Sequence, residues 1–339
     1  MTGNGPGRWT IRDQRHDPAL VEVHLTPKDL RSSMERDVRT GLTSSPKRLP
    51  PVYFYDERGS RLFDEITRLE EYYPTRSERS ILDRNAAEIA ALAGADTLVE
   101  LGAGTCDKSR ILLRAMEATG RLKQFVPLDV SEEVLTEAAG GLAGEFPALA
   151  VHAVVADFHR HLGVLPRSGS RMFAFLGGTI GNLDPMQRRR FFADLDCSMD
   201  PGDSLLLGTD LVKDRSRLVS AYDDAAGVTA RFNRNVLHVL NRELGATFVP
   251  EEFAHVASWD EGCSWIEMRL RSERRTTVRV EALDLDVDFD EGEDLLTEIS
   301  CKFTPDGLDS ELAACGFVTQ ATWRSPADEF QLTLATPYC

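Results

Sequence analysis

The chain has 339 residues, of which 42% are hydrophobic and 28% charged, and this composition is typical of one large folded domain or two ordinary ones. A formal net charge of −16 at pH 7 argues against nonspecific nucleic-acid binding, which needs a basic surface. The six cysteines form no Cys-x-x-Cys pair, no apolar run reaches about 18 residues and the N-terminus lacks a signal-peptide core. We therefore expect a cytoplasmic protein with reduced thiols, no metal site and no membrane span.

The first quarter of the chain is predicted to be mainly helical after a polar start. Residues 1–20 are rich in Gly, Pro, Arg and Asp, and we expect them to be disordered or loosely docked. A helix is predicted over 27–39, because Thr26 can cap it and a proline suits its first position. The spacing of apolar residues between 62 and 69 predicts a second helix, and a third is expected over 77–92.

The stretch 97–108 combines a short apolar strand, a Gly-x-Gly turn at Gly102 and Gly104, and the start of a helix. Because glycine lacks a Cβ, the turn lets backbone approach a ligand at a helix N-terminus, although an ordinary tight turn explains the pattern equally well. It lacks the Gly-Lys-Ser/Thr of a P-loop, and Asp107 stands where a dinucleotide fingerprint has its third glycine. The sequence Glu-Leu-Gly-x-Gly-Thr at 100–105 instead resembles the first motif of Rossmann-like S-adenosylmethionine methyltransferases.

Apolar runs and helical stretches alternate after this turn, as they do in a doubly wound parallel sheet. The runs lie at 125–128, 151–155, 172–176 and 204–207, and the helices are predicted over 132–142, after His159 and over 185–199. Beyond Lys213 the pattern changes to two helices, at 215–222 and 229–244, and four period-two runs, at 253–258, 265–270, 276–280 and 283–289. We interpret these runs as one antiparallel meander with a wet face.

A final helix over 308–315 and a hairpin of 317–323 with 330–334 close the chain, which is how Rossmann-like methyltransferases end. The predicted fold class is therefore α/β, a Rossmann-like class I methyltransferase sheet with an inserted second α+β domain. The predicted methyltransferase domain comprises 77–212 and 302–339, and the inserted substrate-binding domain comprises 213–301. Residues 1–76 are expected to contribute to the substrate-binding domain.

Acidic and aromatic residues follow the predicted strands at their carboxyl ends. Asp129 ends the second strand, where a carboxylate can accept hydrogen bonds from both ribose hydroxyls of a nucleoside. Asp129 could instead cap the next helix, but Ser131 fits the cap position better. Asp157 can accept a hydrogen bond from an adenine amino group, and Phe158 can form an aromatic wall beside it. Alternatively, the two residues form a plain turn with a phenylalanine in the core. Lys108, otherwise a solvated helix residue, can meet the methionyl carboxylate of the cofactor.

Eight segments recur in this order in one family, and they span the chain from about Leu49 to its C-terminus. They lie at 53–56, 71–76, 100–105, 175–182, 207–213, 221–224, 232–235 and 297–303. On these segments the chain resembles the L-histidine Nα-methyltransferases of ergothioneine biosynthesis. The resemblance implies methyl transfer from S-adenosylmethionine to the α-amine of L-histidine, three times, giving the trimethylated betaine hercynine.

The resemblance also implies three groups of site residues. The implied substrate-binding residues are Tyr72, Asn182, Tyr222, Met268, Glu298 and Ser300; the implied catalytic residues are Tyr55, Asn182 and Thr229; and the implied cofactor residues are Gly102, Gly104, Lys108, Asp129, Asp157 and Phe158. Tyr72, Asn182 and Tyr222 would hold the charged backbone groups of the amino acid. Glu298 and Ser300 would grip the imidazole, and Met268 would line that pocket.

Physical chemistry is consistent with this assignment without requiring it. Glu298 and Ser300 are two apart, hence on one face of an extended stretch, and a carboxylate with a hydroxyl can satisfy both nitrogens of an imidazole. Without the resemblance they would be interpreted as solvated turn residues, and Tyr72 and Tyr222 as half-buried core residues. The reaction is an in-line displacement of the sulfonium methyl by the neutral amine, and either water or a tyrosine takes the proton of the amine.

Two other functions fit part of the pattern. An enzyme of the same fold could act on another aromatic amino acid, such as tryptophan or tyrosine, but a carboxylate at Glu298 facing an apolar ring would be costly to bury. A catalytically dead cofactor-binding or sensor module would be expected to lose its substrate residues, and here both sets are present. The expected partner is a small-molecule substrate, with neither nucleic acid nor membrane, and the expected state is a monomer.

Overall fold

The computed structural model describes residues 19–338, so most of the predicted loose start lies outside the described residues. The strands are β1 (Ala19–Val23), β2 (Lys47–Arg48), β3 (Thr97–Leu101), β4 (Gln124–Asp129), β5 (Ala150–Val155), β6 (Arg171–Phe175), β7 (Ser204–Asp210), β8 (Phe253–Asp260), β9 (Trp265–Ser272), β10 (Thr276–Val280), β11 (Leu285–Phe289), β12 (Asp294–Cys301), β13 (Phe317–Arg324) and β14 (Phe330–Pro337). The helices are α1 (Pro27–Leu42), α2 (Glu57–Thr67), α3 (Pro74–Ala93), α4 (Ser109–Ala118), α5 (Glu132–Glu145), α6 (Pro185–Asp196), α7 (Arg215–Ser220), α8 (Val228–Leu244) and α9 (Pro305–Ala314).

Eight strands form the large sheet, in the order β1-β5-β4-β3-β6-β7-β14-β13. The first six are mutually parallel, and the closing hairpin of β13 and β14 adds to β7 in antiparallel fashion. Every residue of β3, β6 and β7 is buried, which explains their continuous apolar runs, since both faces of a parallel sheet are covered. The predicted α/β class with a doubly wound sheet is confirmed.

The strand order reverses between β3 and β6, because the chain leaves β3 toward β4 on one side and returns to β6 on the other. Ligands bind at such a switch point, in the crevice outside the carboxyl ends of the strands. The Gly-x-Gly turn follows β3 directly, so the fold places it at this crevice.

The region after α8 differs from the predicted single meander. Strands β8, β9 and β12 form a four-stranded sheet with the short β2, whereas β10 and β11 pair only with each other as a separate hairpin within the described sheets. β12 was absent from the predicted strands because polar residues interrupt its alternation. The helix expected after His159 is likewise reduced to one 3-10 turn, Leu162–Val164.

Apolar packing separates the chain into a sheet core and a second core beside it. The second core joins side chains between Val38 and Tyr73 to side chains between Leu218 and Leu295. β1 differs from the rest of the N-terminal segment, because it pairs with β5 in the large sheet. We propose that the second core marks the substrate-binding domain and that β1 belongs to the methyltransferase domain.

Helix starts follow local sequence signals. Thr26 accepts a hydrogen bond from the backbone N–H of Asp29, and the Asp29 side chain returns one from the Thr26 N–H, so the predicted cap of α1 is confirmed. Asp184 and Gln187 make the same reciprocal box at the start of α6. Among residues 19–338, no helix is both long enough and apolar enough to cross a bilayer.

Candidate active site

The turn after β3 leaves room for a ligand. Gly102 and Gly104 have φ angles of +72° and +50°, in the left-handed region that favours glycine, and a Cβ added to either would meet no protein atom within 4 Å. The N–H groups of Gly102 and Ala103 donate to the carbonyl of Leu128, which ties the turn to the end of β4. Open space beside exposed backbone at a helix N-terminus fits the nucleoside cofactor that the sequence predicts.

Asp129 is fixed at the end of β4 by backbone donors. Its Oδ2 accepts from the Gly104 N–H at 2.9 Å and its Oδ1 accepts from the Ser131 N–H at 3.0 Å. Burial raises the pKa of Asp129, while these N–H groups favour its charged form. Each carboxylate oxygen keeps a free lone pair for a hydroxyl. Ser131 occupies the first position before α5, but its hydroxyl makes no capping bond, contrary to the expected cap.

Asp157 and Phe158 follow β5 next to Asp129. The intervening residue, Ala156, donates its N–H to the Asp129 carbonyl at 2.9 Å. The Phe158 ring packs edge-on against Phe175, with ring centroids 5.2 Å apart, and so stands as a partly buried wall. His161, a neighbour of this turn, accepts the Asp157 N–H through its Nδ1.

Lys108 lies at the same edge, but its ammonium is held by a residue that sequence analysis did not single out. Glu78 of α3 is fully buried, and its Oε2 lies 2.5 Å from the Lys108 Nζ. The Gly177 N–H donates to both Glu78 oxygens, at 2.8 and 3.0 Å. The signal for Glu78 was a single acid on the apolar face of α3, together with Ile81 and Leu82. Two Lys108 N–H groups stay available for the methionyl carboxylate.

The loop after β6 brings the two parts of the site into contact. Gly181 lies against β12, because a Cβ added to it would come within 2.8 Å of the Cys301 carbonyl oxygen and 3.6 Å of the Ser300 hydroxyl. Its neighbour Asn182 ends a 3-10 turn at this contact. The turn that carries Asn182 therefore packs against the strand that carries Ser300.

A one-residue irregularity in β12 decides which way Glu298 and Ser300 point. Leu295 pairs with Leu270 of β9, but the register shifts between Leu296 and Glu298, so that Glu298 is directly opposite Met268. Such a bulge moves the following residues to the other face. Glu298 and Ser300 consequently share a face with Met268, as the sequence prediction requires.

The extra residue of the bulge is Thr297, and buried polar groups hold it. Its hydroxyl lies 2.6 Å from the Asn233 Oδ1 and 2.9 Å from the Met268 carbonyl oxygen. The Asn233 Nδ2 lies 2.9 Å from the Nδ1 of His255, whose Nε2 lies 2.8 Å from the Tyr222 carbonyl. Burial lowers the pKa of His255, so the ring is neutral, accepts from Asn233 and donates to Tyr222. One network thus positions both the bulge and Tyr222.

Glu298 and Tyr55 are both partly accessible to solvent. Tyr55 is 42% exposed, yet surrounding protein raises its pKa through burial and through the charges of Glu298 and Asp129, among others. Glu298 is half-buried, and burial raises its pKa to about 7 against the opposing field of Lys302. We call the space between Tyr55, Glu298 and Asp129 the cleft, because the charges of both carboxylates act on the Tyr55 hydroxyl.

Aromatic rings form one wall of this cleft. Tyr55 packs edge-on against Phe63 and Phe232, with centroids 5.6 and 5.5 Å apart. Phe63 continues to Tyr72, whose ring centroid lies 6.3 Å from that of Tyr222. Burial raises the pKa of Tyr72 and of Tyr222, so both phenols keep their protons and can donate hydrogen bonds.

Thr229 is buried in the first turn of α8. Its N–H donates to the Asp224 Oδ1 at 2.7 Å, which anchors the helix start. Phe232, whose ring contacts Tyr55, lies three residues further along the helix. Thr229 therefore lies on the same side of α8 as Phe232, and its buried hydroxyl makes no hydrogen bond to the described residues.

Lys302 is a buried cation next to Tyr222 and Ser300, and sequence analysis gave it no role. The Lys302 Nζ donates to the Tyr222 hydroxyl and to the Ser300 hydroxyl, both at 2.8 Å, and pairs with the Asp210 Oδ2 at 2.9 Å. The Lys302 side chain is 0% exposed. Both lysine and aspartate lie inside the segments that carried the resemblance, but only the fold brings them next to the substrate residues.

Comparisons with known proteins find a family and several relatives that match most of the chain. Residues 34–337 match the family described as "Histidine-specific methyltransferase, SAM-dependent". The chain is 54% identical over 312 residues to Histidine N-alpha-methyltransferase of Mycolicibacterium smegmatis, covering 92% of this chain and 97% of the relative. It is also 54% identical to Histidine N-alpha-methyltransferase of Mycobacterium tuberculosis, over 93% of this chain and 98% of the relative. A more distant relative, the L-tryptophan methyltransferase of Psilocybe serbica, is 28% identical over 86% of this chain and 89% of its own length.

Proposed function

Because the chain belongs to the family of histidine-specific, S-adenosylmethionine-dependent methyltransferases, we propose that it methylates the α-amine of L-histidine three times to give Nα,Nα,Nα-trimethylhistidine. The observation that carries the choice of histidine is the pair Glu298 and Ser300, a carboxylate and a hydroxyl on one face of β12 opposite Met268. This pair offers an acceptor and a donor to the two nitrogens of a neutral imidazole. We assign the product to ergothioneine biosynthesis, as the resemblance implies.

The proposed chemistry asks the protein mainly for positioning. S-adenosylmethionine supplies a methyl group on a positively charged sulfur. The lone pair of the amine forms the new C–N bond while the electrons of the C–S bond go to sulfur, and the product ammonium then loses a proton before the next transfer. Burial raises the pKa of Tyr55, Tyr72 and Tyr222, which disfavours a tyrosine base, so we assign this proton to water.

Incubation of the protein with labelled S-adenosylmethionine and each amino acid in turn tests this function. We expect label transfer to histidine, with mono-, di- and trimethylated products resolved by mass spectrometry. Transfer to tryptophan or tyrosine in preference to histidine would contradict the proposal. Cofactor binding without transfer to any amino acid would favour a sensor module instead.

We propose that Asn182 orients the amino acid and not the cofactor. A hydrogen bond to a charged group is worth about 1.5–3 kcal/mol, so Asn182→Ala should lower kcat/KM for histidine by roughly tenfold or more. The affinity for S-adenosylmethionine, measured by calorimetry, should change little. Asn85→Ala is a matched control, because Asn85 donates to the Ile81 carbonyl of its own helix. A collapse of cofactor affinity with histidine affinity intact would contradict the assignment.

The raised pKa of Glu298 predicts a pH dependence. The carboxylate that accepts the ring N–H is present above about pH 7 and is lost as the pH falls through that value. We expect kcat/KM for histidine to fall more steeply toward acid in the unaltered enzyme than in Glu298→Gln, whose amide oxygen accepts the same N–H without titrating. Protonation of the histidine substrate changes the rates of both enzymes equally, so it does not affect the comparison. Parallel pH profiles would contradict this prediction.

The proposed working form is a cytoplasmic monomer. A net charge of −16 opposes close approach of two copies, which favours the monomer. Light scattering after gel filtration measures the mass directly, and a dimer mass would contradict the proposal.

A further inference from the structure

Lys302 sets the direction of the hydrogen bonds around Tyr222 and Ser300. Its three N–H groups are all used, by Tyr222, Ser300 and Asp210. The Tyr222 and Ser300 hydroxyls also lie 2.8 Å from each other. Because both oxygens already accept from Lys302, both hydroxyl protons point away from the lysine. Without substrate one of them fills the bond between the two oxygens, and with substrate Tyr222 and Ser300 can each donate to it. The trio therefore always presents an O–H donor on the side of the cleft.

The cluster around Lys302 is positively charged. Asp210 is shared with a second ammonium, because the Lys213 Nζ lies 2.6 Å from its Oδ1. The Tyr73 hydroxyl also donates to Asp210, at 2.8 Å from Oδ2. The hydrogen-bonded cluster of two ammonium groups and one carboxylate carries a net positive charge in a buried place, which the Glu298 carboxylate offsets in part when it is ionised. An anion next to Tyr222 would balance it.

The residues expected to hold the charged backbone groups of the substrate, its α-carboxylate among them, are Tyr72, Asn182 and Tyr222, and all three are neutral. A phenol whose oxygen accepts from an ammonium is a stronger donor, since hydrogen bonds in a chain polarise one another. Tyr222 is the member of the three that contacts Lys302. The buried charge therefore acts on the carboxylate through one hydroxyl.

We propose that Lys302 is a positioning residue that recognises the α-carboxylate of the substrate through Tyr222, with Asp210 holding its ammonium from the end of β7. This inference rests on the proposed function, because it takes a free amino acid as the substrate. It places a cation behind the three neutral residues expected to hold the backbone groups of the substrate. It also links the substrate pocket to the large sheet, because Asp210 belongs to β7 and Ser300 to β12.

Binding of two substrate analogues distinguishes a specific loss of carboxylate recognition from a general loss of structure in the pocket. Imidazolepropionate keeps the ring and the carboxylate of histidine but lacks the amine, whereas histamine keeps the ring and the amine but lacks the carboxylate. For Lys302→Met we expect the affinity for imidazolepropionate, measured by calorimetry, to fall about tenfold or more, and that for histamine to change by less than about threefold. In turnover, most of the loss on histidine should lie in KM.

Lys213→Met is the matched control, because it removes the other ammonium from Asp210 without touching Tyr222 or Ser300. Any loss in this variant should be equal for the two ligands. Lys302→Gln, which keeps a donor near both hydroxyls without the charge, gives a second test should the methionine variant not fold. Adding Lys302→Met to Tyr222→Phe should weaken imidazolepropionate little further, since the two residues act in series.

Equal weakening of both ligands by Lys302→Met, or no weakening of imidazolepropionate by either Lys302 variant, would overturn the inference. Failure of the unaltered protein to methylate histidine would instead overturn the proposed function. The two affinities are measured without turnover, so they decide the assignment of Lys302 separately.

Discussion

Glu298→Ala is expected to lose most activity on histidine and to gain, in relative terms, on larger apolar aromatic amino acids. The carboxylate lies opposite Met268 on the face that carries Ser300. The contact that we propose between it and the imidazole is a hydrogen bond to a charged group. At about 1.5–3 kcal/mol, loss of that bond lowers kcat/KM for histidine by roughly 10- to 150-fold. Removing the side chain also frees volume and removes a carboxylate that an apolar ring would have to bury unpaired.

A competition assay with equimolar histidine, tryptophan and phenylalanine measures this change. The unaltered enzyme should favour histidine strongly, because a site built to hydrogen-bond a ring N–H rejects rings that lack it. Trimming Met268 to valine should widen the opening further. Glu267→Ala is the matched control, since Glu267 lies next to Met268 on β9 and pairs with Arg269. A mutant that keeps its preference for histidine would show that Glu298 does not recognise the imidazole.

Much of the sheet and of the cofactor edge could be predicted because their signals are local. Continuous apolar runs identified β3 to β7, and the Gly-x-Gly turn placed the ligand edge after β3. One local signal that failed is the predicted helix cap at Ser131. Ser131 has the residue type of a cap, but its hydroxyl makes no capping bond, and its own N–H donates to the Asp129 carboxylate.

The substrate side depended on contacts that no local pattern contains. The face of Glu298 is set by the bulge at Thr297, and the bulge is defined only by the pairing of β12 with β9. Spacing alone places Glu298 and Ser300 together, but not beside Met268. The partners of Lys302 and Glu78 are likewise distant in sequence, at Asp210 and at Gly177. For both residues, the sequence signal was a single charged side chain among residues that are otherwise apolar: those on the same helix face for Glu78, and the immediate neighbours along the chain for Lys302.

The largest expected effect on the cofactor side is that of Asp129→Ala. The carboxylate accepts from the Gly104 N–H at 2.9 Å, so its loss removes the predicted acceptor of two ribose hydroxyls and also frees the glycine turn. With one charged hydrogen bond worth about 1.5–3 kcal/mol, the affinity for S-adenosylmethionine should fall roughly tenfold to more than a hundredfold. Calorimetry with the folded variant measures this fall directly.

Two further variants separate the contribution of Asp129 from its effect on the turn. Asp129→Asn keeps an oxygen that can accept the Gly104 N–H but loses the charge, so it should weaken the cofactor less than alanine does. Asp96→Ala is the matched control, because Asp96 precedes β3 at the opposite edge of the sheet, where it pairs with Lys123. It should leave cofactor affinity unchanged. If Asp129→Ala instead binds the cofactor as tightly as the unaltered protein, Asp129 is not part of the site, and the ribose has to be held by other groups at this edge.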